Sequence, residues 1–229
     1  MSRGSAGSSG AGRNKKVRVK TARGRKPSST RWLQRQLNDP YVASARQAGY
    51  RSRAAWKLIQ LDEKARFLKS GCRVVDLGAA PGGWTQVAVE RAGRGNVVAI
   101  DILEMDPVDG AVVLQGDMTD PVSDARILNE LGGPPDIILS DMAAATTGHR
   151  QTDHLRTMAL CEAAVEFALE HLAQGGTVVA KVFQGGAQAE FLARIKPEFE
   201  KIRHIKPDAS RKESPETYLV AQGYKKNAG

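Results

Sequence analysis

Three features of this sequence predict an α/β fold built on a doubly wound, mostly parallel sheet of seven strands. Short β-branched runs alternate with amphipathic helical patterns from residue 73 onward. The segment Val74-Val75-Asp76-Leu77-Gly78-Ala79-Ala80-Pro81-Gly82-Gly83-Trp84 reads as a strand, a glycine-rich turn and a helix start. The last two strand patterns are joined by a loop too short for a helical crossover, so they pair antiparallel, whereas the others follow right-handed βαβ connections.

The elements follow in order. Ser28-Ser29-Thr30 can cap a short helix carrying Trp32, Leu33 and Leu37, which Asn38-Asp39-Pro40 breaks. Residues 41–48 read as a second helix, stopped by Gly49. Ser52 can cap a third that runs to about Phe67, with Ala55, Leu58, Ile59 and Leu61 as its apolar stripe and Lys57 beside Trp56. Strands are expected at 73–77, 97–100, 112–114, 136–140, 177–182, 199–205 and 217–221. Helices are expected at 84–91, 121–131, 152–172 and 188–195. No internal repeat is visible.

The chain has 229 residues, with 34 Lys and Arg against 25 acids, a net charge of +9. Nine of the basic residues lie in 1–26, which holds no acid, so the remaining 25 balance the 25 acids. Residues 1–27 therefore read as a disordered, Gly- and Ser-rich basic tail with too little apolar surface to offset its ordering entropy. Such a tail suits a polyanionic partner. Residues 28–229 read as a single domain, with 28–67 as a helical extension before the sheet. Cys72 and Cys161 stand apart from each other and from any histidine cluster, so buried thiols in a reducing compartment are expected. No apolar run approaches the length of a membrane span and the N-terminus lacks the apolar core of a signal peptide. The expected location is the cytoplasm, with no membrane partner and a monomeric chain.

In an open α/β sheet a ligand sits outside the C-terminal ends of the strands. Those ends carry Asp76, Asp101, Asp117 and Asp141, one acid on each of four successive strands. The loop after Asp76 fits neither G-x-x-x-x-G-K-[ST] nor G-x-G-x-x-G, and Pro81 removes an N–H. A carboxylate there repels a phosphate and favours a cationic or amino-bearing ligand such as S-adenosylmethionine (SAM). Asp101 can hold ribose hydroxyls. Asp117 can accept from an exocyclic adenine amine, and Met118 can pack on the ring. Lys181 interrupts the buried run Val178-Val179-Ala180-Lys181-Val182-Phe183. A lysine there is expected to face Asp141 across adjacent strands with a lowered pKa. His149 and His154 follow in the same region, but their spacing and lack of cysteine partners argue against a metal.

Asp76-Leu77-Gly78-Ala79-Ala80-Pro81-Gly82-Gly83-Trp84 resembles the SAM-binding loop of the FtsJ/RrmJ family of RNA 2′-O-ribose methyltransferases. The likeness extends through Arg31-Trp32-Leu33, Arg51-Ser52-Arg53-Ala54 with Lys57, Leu114-Gln115-Gly116-Asp117, Ser140-Asp141-Met142, Lys181-Val182-Phe183-Gln184-Gly185 and Lys206-Pro207-Asp208 with Ser210-Arg211. It covers about residues 28–224. The resemblance implies a Rossmann-like, SAM-dependent methyltransferase acting on a uridine ribose 2′-hydroxyl in 23S ribosomal RNA of the large subunit. Its Lys–Asp–Lys–Glu set falls on Lys57, Asp141, Lys181 and Glu216. Its cofactor contacts fall on Asp76, Gly78, Ala79, Pro81, Gly82, Gly83, Trp84, Asp101, Ile102, Asp117, Met118 and Asp141.

Arg46, Arg51, Arg53, Arg203, Lys206, Arg211 and Lys212 form an expected RNA-binding rim. No metal is implied. One departure stands out: the family commonly has asparagine four residues after the catalytic aspartate, where this chain has Ala145. Three other readings stay open from sequence: an enzyme acting on tRNA or mitochondrial ribosomal RNA, a non-catalytic RNA-binding assembly factor on the same fold, and, more remotely, an NAD-dependent dehydrogenase.

Overall fold

A computed structural model describes residues 27–144, 147–183 and 188–226. The basic segment 1–26, Ala145, and Gln184 with Gly185 lie outside the described residues. Three helices come first: α1 (Pro27–Leu37), α2 (Pro40–Gln47) and α3 (Ala54–Ala65). The alternating part follows as β1 (Val74–Leu77), α4 (Gly83–Ala92), β2 (Val97–Asp101), β3 (Ala111–Gln115), α5 (Pro121–Leu131), β4 (Ile137–Ser140), α6 (Arg150–His171), β5 (Thr177–Phe183) and α7 (Gln188–Ile195). A 3-10 turn at Lys196–Glu198 leads into β6 (Phe199–Ile205) and β7 (Glu216–Tyr224).

The seven strands form one sheet in the order β3-β2-β1-β4-β5-β7-β6. β1 to β5 pair in parallel, and β7 runs antiparallel to both β5 and β6. Side chains alternate across the pleat and build two cores. Val75, Leu77, Val98, Ile100 and Ile138 pack with α5, α6 and α7, whereas Val74, Val97, Ile137 and Leu139 pack with α3 and α4. The strands are apolar on both faces because helices cover both. Among the described residues, no helix is long and apolar enough to cross a membrane.

Local chemistry sets the helix ends. Asp39 accepts from the Tyr41 amide and Pro40 sits at the first helical position of α2. α3 begins one residue later than a Ser52 cap predicts: Arg53 holds the cap position without a side-chain bond, and Ser52 Oγ has no hydrogen-bond partner. α3 also stops at Ala65, earlier than expected. Arg66 turns left-handed (φ 53°), and the Asp62 carboxylate accepts from the amides of Phe67 and Leu68. α6 begins at Arg150 because His149 Nδ1 accepts from the Thr152 amide. Cys161 is buried as expected, but Cys72 is only half-buried.

Candidate active site

The parallel strands aim their C-terminal ends at one edge, where the first two turns of α3 and the start of β7 meet them. Lys57 is on α3, Asp141 follows β4, Lys181 is on β5 and Glu216 opens β7. These four side chains, spread over 160 positions of sequence, form one cluster. Lys181 Nζ donates to the Asp141 carbonyl at 2.7 Å and lies 2.7 Å from its Oδ1. Lys57 Nζ donates to Glu216 Oε2 at 2.9 Å and lies 3.5 Å from Asp141 Oδ2. Glu216 Oε2 is also 3.7 Å from Lys181 Nζ. Each carboxylate thus touches both ammoniums.

Two residues complete the cluster that sequence reasoning left without a role. Tyr218, fully buried, donates to Asp141 Oδ1 at 2.6 Å and accepts from Lys57 Nζ at 3.0 Å. It follows Glu216 by two positions on β7, hence on the same face, and its backbone pairs with Lys181. Ser210 Oγ donates to Glu216 Oε1 at 2.6 Å, leaving Oε2 for the lysines.

The electrostatics correct one expectation. Burial pulls the Lys181 pKa down, but the Asp141 and Glu216 carboxylates outweigh it, so the ammonium is held above its ordinary value rather than below. Burial would raise the carboxyls of Asp141 and Glu216, yet the two lysines hold both below the carboxylate range. Burial, then Asp141 and Glu216, push the Tyr218 phenol well up, so it stays a donor. The resting cluster therefore holds two cations and two anions.

The glycine-rich loop bonds largely to the protein itself. The amides of Gly78 and Ala79 both donate to the Ile100 carbonyl, Ala80 donates to Asp101 Oδ2 and Gly82 donates to the Ala79 carbonyl. Four loop donors are spent internally, which suits a non-phosphate ligand. The glycines make room for the protein's own side chains. A Cβ at Gly78 (φ 71°) would lie 2.1 Å from Met142 Cγ, and one at Gly83 would lie 2.4 Å from Ser52 Oγ. Gly82 (φ 102°) is crowded by Arg51, Met105 and Val108.

The acids beside the loop are a separate group. Asp76 is 1% exposed and accepts from Thr85 Oγ1 at 2.7 Å. Burial, aided by the charges of Asp141 and Asp101 and opposed by the Thr85 hydroxyl, pushes its carboxyl from 3.8 to about 7. Asp101 also accepts from the Leu103 amide, and Asp117 accepts from the amide and hydroxyl of Thr119, which holds its pKa low. Ile102 is 66% exposed beside Asp101, Met118 is buried, and Ala79 is buried under the loop while Pro81 is exposed. Trp84 is buried: its indole donates to the Ala54 carbonyl at 2.8 Å and its ring lies 5.6 Å from that of Tyr218. It braces α4 against α3 and β7.

A cleft of about 560 Å³ opens onto this edge, lined by Lys57, Ala80, Pro81, Asp141, Ser214 and Glu216 among others. Residues 50–224 match the family profile described as FtsJ-like methyltransferase. The chain belongs to the FtsJ-like methyltransferase family. The protein is thus a methyltransferase of this fold. It is 59% identical over 225 residues to the ribosomal RNA large subunit methyltransferase E of Paramagnetospirillum magneticum, covering 96% of this chain and 92% of that protein. The Acidiphilium cryptum protein of the same name is 57% identical over 219 residues, covering 96% and 97%. A crystal structure of a Plasmodium falciparum protein described as a ribosomal RNA methyltransferase superposes with a TM-score of 0.69 at 32% identity, covering 76% of this chain and 98% of that one.

Within this FtsJ-like methyltransferase the cationic residues of the expected rim divide into two kinds. Arg51 donates to the carbonyls of Pro81, Asp106 (2.7 Å) and Pro107 (2.5 Å), clasping the glycine loop to segment 105–108. Arg53 bonds the Asp39 carboxylate and the Ala209 carbonyl. Arg203 donates to the Lys64 carbonyl and to Gln222 at the far end of α3, and Lys206 staples its loop through the Lys212 and Ser214 carbonyls. Arg211 lies 3.6 Å from Asp39 and lines the cleft. Arg46 and Lys212 are exposed.

Proposed function

We propose that this protein transfers a methyl group from SAM to the 2′-hydroxyl of a uridine ribose in the 23S RNA of the large ribosomal subunit. The observation that carries the reading is the four-membered cluster, in which Asp141 and Glu216 each bridge Lys57 and Lys181 at the edge of an open cleft. The names of the relatives supply the ribosomal substrate. The protein acts in the cytoplasm as a monomer. Residues 28–229 form its one methyltransferase domain, and the basic segment 1–27 adds affinity for the polyanion.

The strand-end acids fit a cationic cofactor. Asp76 is raised partly by Asp141 and Asp101, so this corner carries more negative charge than it can comfortably hold. Asp76, Asp101, Ile102, Asp117, Met118 and Asp141 would hold SAM against the loop of Gly78, Ala79, Pro81, Gly82 and Gly83, with Trp84 bracing that loop from behind. Bound there, SAM supplies a methyl carbon already activated by its sulfonium. No metal is required, since no phosphoryl group moves.

The chain's own residues handle the hydroxyl and its proton. The Lys181 ammonium donates to the hydroxyl oxygen and orients it; Asp141 fixes that ammonium from two atoms. Only the neutral fraction of Lys181 can take the proton, and its raised pKa keeps that fraction small near neutrality. Activity should therefore climb with pH through the neutral range, without a plateau before the alkaline range. Glu216 and Tyr218 hold Lys57 at the mouth of the cleft.

The test is Lys181→Ala, with methylation of unmodified large subunits and SAM titration measured side by side. General acid–base groups contribute about 10²–10⁴-fold, so turnover should collapse while SAM still binds. Retained turnover would overturn the assignment, and mapping of 2′-O-methyl marks identifies the nucleotide.

A further inference from the structure

Beside the catalytic cleft lies a second groove of about 550 Å³, between α1, α2 and the loop 206–214. We infer that this groove seats the nucleoside next to the target in the RNA strand. The inference rests on the ribose-methylation reading and adds to it a specificity subsite.

The two cavities are contiguous. Arg35, Arg53, Arg211 and Glu213 line both cavities, so a strand that places one ribose in the cleft beside Lys57, Asp141 and Glu216 runs on into the groove. Each cavity is of small-ligand size, within the roughly 300–1,000 Å³ typical of such pockets.

The groove is also pre-formed. The Asp39 carboxylate ties Arg53, Arg211 and the Tyr41 amide together. The loop opposite is pinned by Gln60, which accepts from the Ala209 amide at 2.8 Å, and by Arg53 on the Ala209 carbonyl. Lys206 closes the loop on itself. A fixed wall of this kind loses little freedom on binding.

Its chemistry selects a base rather than a bare phosphate track. A track would be lined by one sign, whereas this groove sets Asp208 and Glu213 among arginines and lysine, with Tyr41 in the wall and the Arg53 guanidinium 5.7 Å from the Tyr41 ring centroid. Carboxylates accept from base amines, guanidiniums donate to base carbonyls and ring nitrogens, and an aromatic wall suits an unstacked base. Arg35 and Lys212 form no ion pair among the described residues, so they remain available for the flanking phosphates. At the floor, Ser210 lines the groove and bonds Glu216, linking occupancy here to the geometry that holds Lys57.

The test uses full-length protein carrying p-benzoylphenylalanine at position 212, with unmethylated large ribosomal subunits as probe. Irradiation should crosslink position 212 to a nucleotide adjacent to the one that the unsubstituted protein methylates. Crosslinks to a remote nucleotide or to a ribosomal protein overturn the subsite while leaving methylation intact. If the unsubstituted protein leaves no 2′-O-methyl mark, the functional reading fails and the subsite falls with it. In parallel, Arg35→Ala with Lys212→Ala should raise KM for the subunit about tenfold or more with kcat within about twofold. The slope of log KM against log salt should fall by roughly 1.5, as for two lost phosphate contacts. An unchanged salt slope overturns the role given to this pair, because mere loosening of the loop would not alter counterion release.

Discussion

Two groups of charged residues share one edge of the sheet, and they are built on opposite plans. The cluster of Lys57, Asp141, Lys181, Glu216 and Tyr218 is balanced: every ammonium meets two carboxylates, and the shifts reinforce the charged forms. The group of Asp76, Asp101 and Asp117 has no cation within ion-pairing distance among the described residues, and Asp76 answers by holding its proton to about 7. Balanced charge fixes atoms in place and keeps proton positions definite. Unbalanced charge stores a need for a cation from outside. Under the proposed function, this division would separate the task of orienting a hydroxyl from that of receiving a sulfonium, with Asp141 common to both.

The largest break in that comparison comes from Asp141→Asn. The substitution leaves Lys57 and Lys181 facing each other with only Glu216 between them. Breaking a buried ion pair by removing one partner costs about 3–5 kcal/mol, so the denaturation midpoint at pH 7 should drop sharply. The sign with pH is a further check. Without Asp141, burial dominates at Lys181 and its pKa falls, so the variant sheds that proton as pH rises and the gap to wild type should narrow between pH 7 and 9.5. A gap constant with pH would mean that Lys181 is not held charged by Asp141.

Asp76→Asn probes the unbalanced side and should act in the opposite direction. The native carboxyl binds its proton more tightly than the unfolded one, from 3.8 up to about 7. Through that window the folded state carries more protons than the unfolded state, so stability falls as pH rises, and above it the penalty is constant. A displacement of that size corresponds to about 4 kcal/mol as an upper value at pH 8. Asparagine keeps an acceptor for Thr85 and removes the charge, so the variant should be the more stable protein at pH 8, with the advantage shrinking toward pH 5. Its affinity for SAM should fall at the same time. A variant that gains stability without losing SAM affinity would make Asp76 a structural acid only.

The contrast also explains what the sequence disclosed. Each strand-end acid and Lys181 could be placed because a charged residue closing a β-branched run announces itself locally. The ends of α5 were legible for the same reason: Asp120 accepts from the Val122 amide before Pro121 opens the helix, and Gly132 ends it at φ 70°. Tyr218 was not legible. An aromatic residue in a strand reads as core, and its role depends on the register that sets it opposite Lys181. Ser210 sits in a loop whose path no periodicity reports. The surroundings of the glycines were not legible either: a Cβ there would come within 3.1 Å of Met142, Ser52 or Arg51, contacts that no local pattern reports. Arg51 and Arg53 were placed on the expected RNA rim by charge alone; sequence does not show that carbonyls and Asp39 also engage them.

Tyr218→Phe gives the smallest and sharpest test. Its hydroxyl donates to Asp141 Oδ1 and accepts from Lys57 Nζ, so it joins the two halves of the balanced cluster without carrying charge. Phenylalanine preserves the ring against Trp84 and removes only those two bonds. Hydrogen bonds to charged groups contribute about 1.5–3 kcal/mol each, and part is regained because Asp141 keeps Lys181 and Lys57 keeps Glu216. A loss of stability of about 1–3 kcal/mol is expected. The kinetic signature separates positioning from packing. If Tyr218 holds Lys57 and Asp141 in register, kcat falls while SAM affinity and KM for the subunit stay near wild type. If the phenol matters only as filler, kcat is unchanged, and the balanced cluster is then complete with its four charged members.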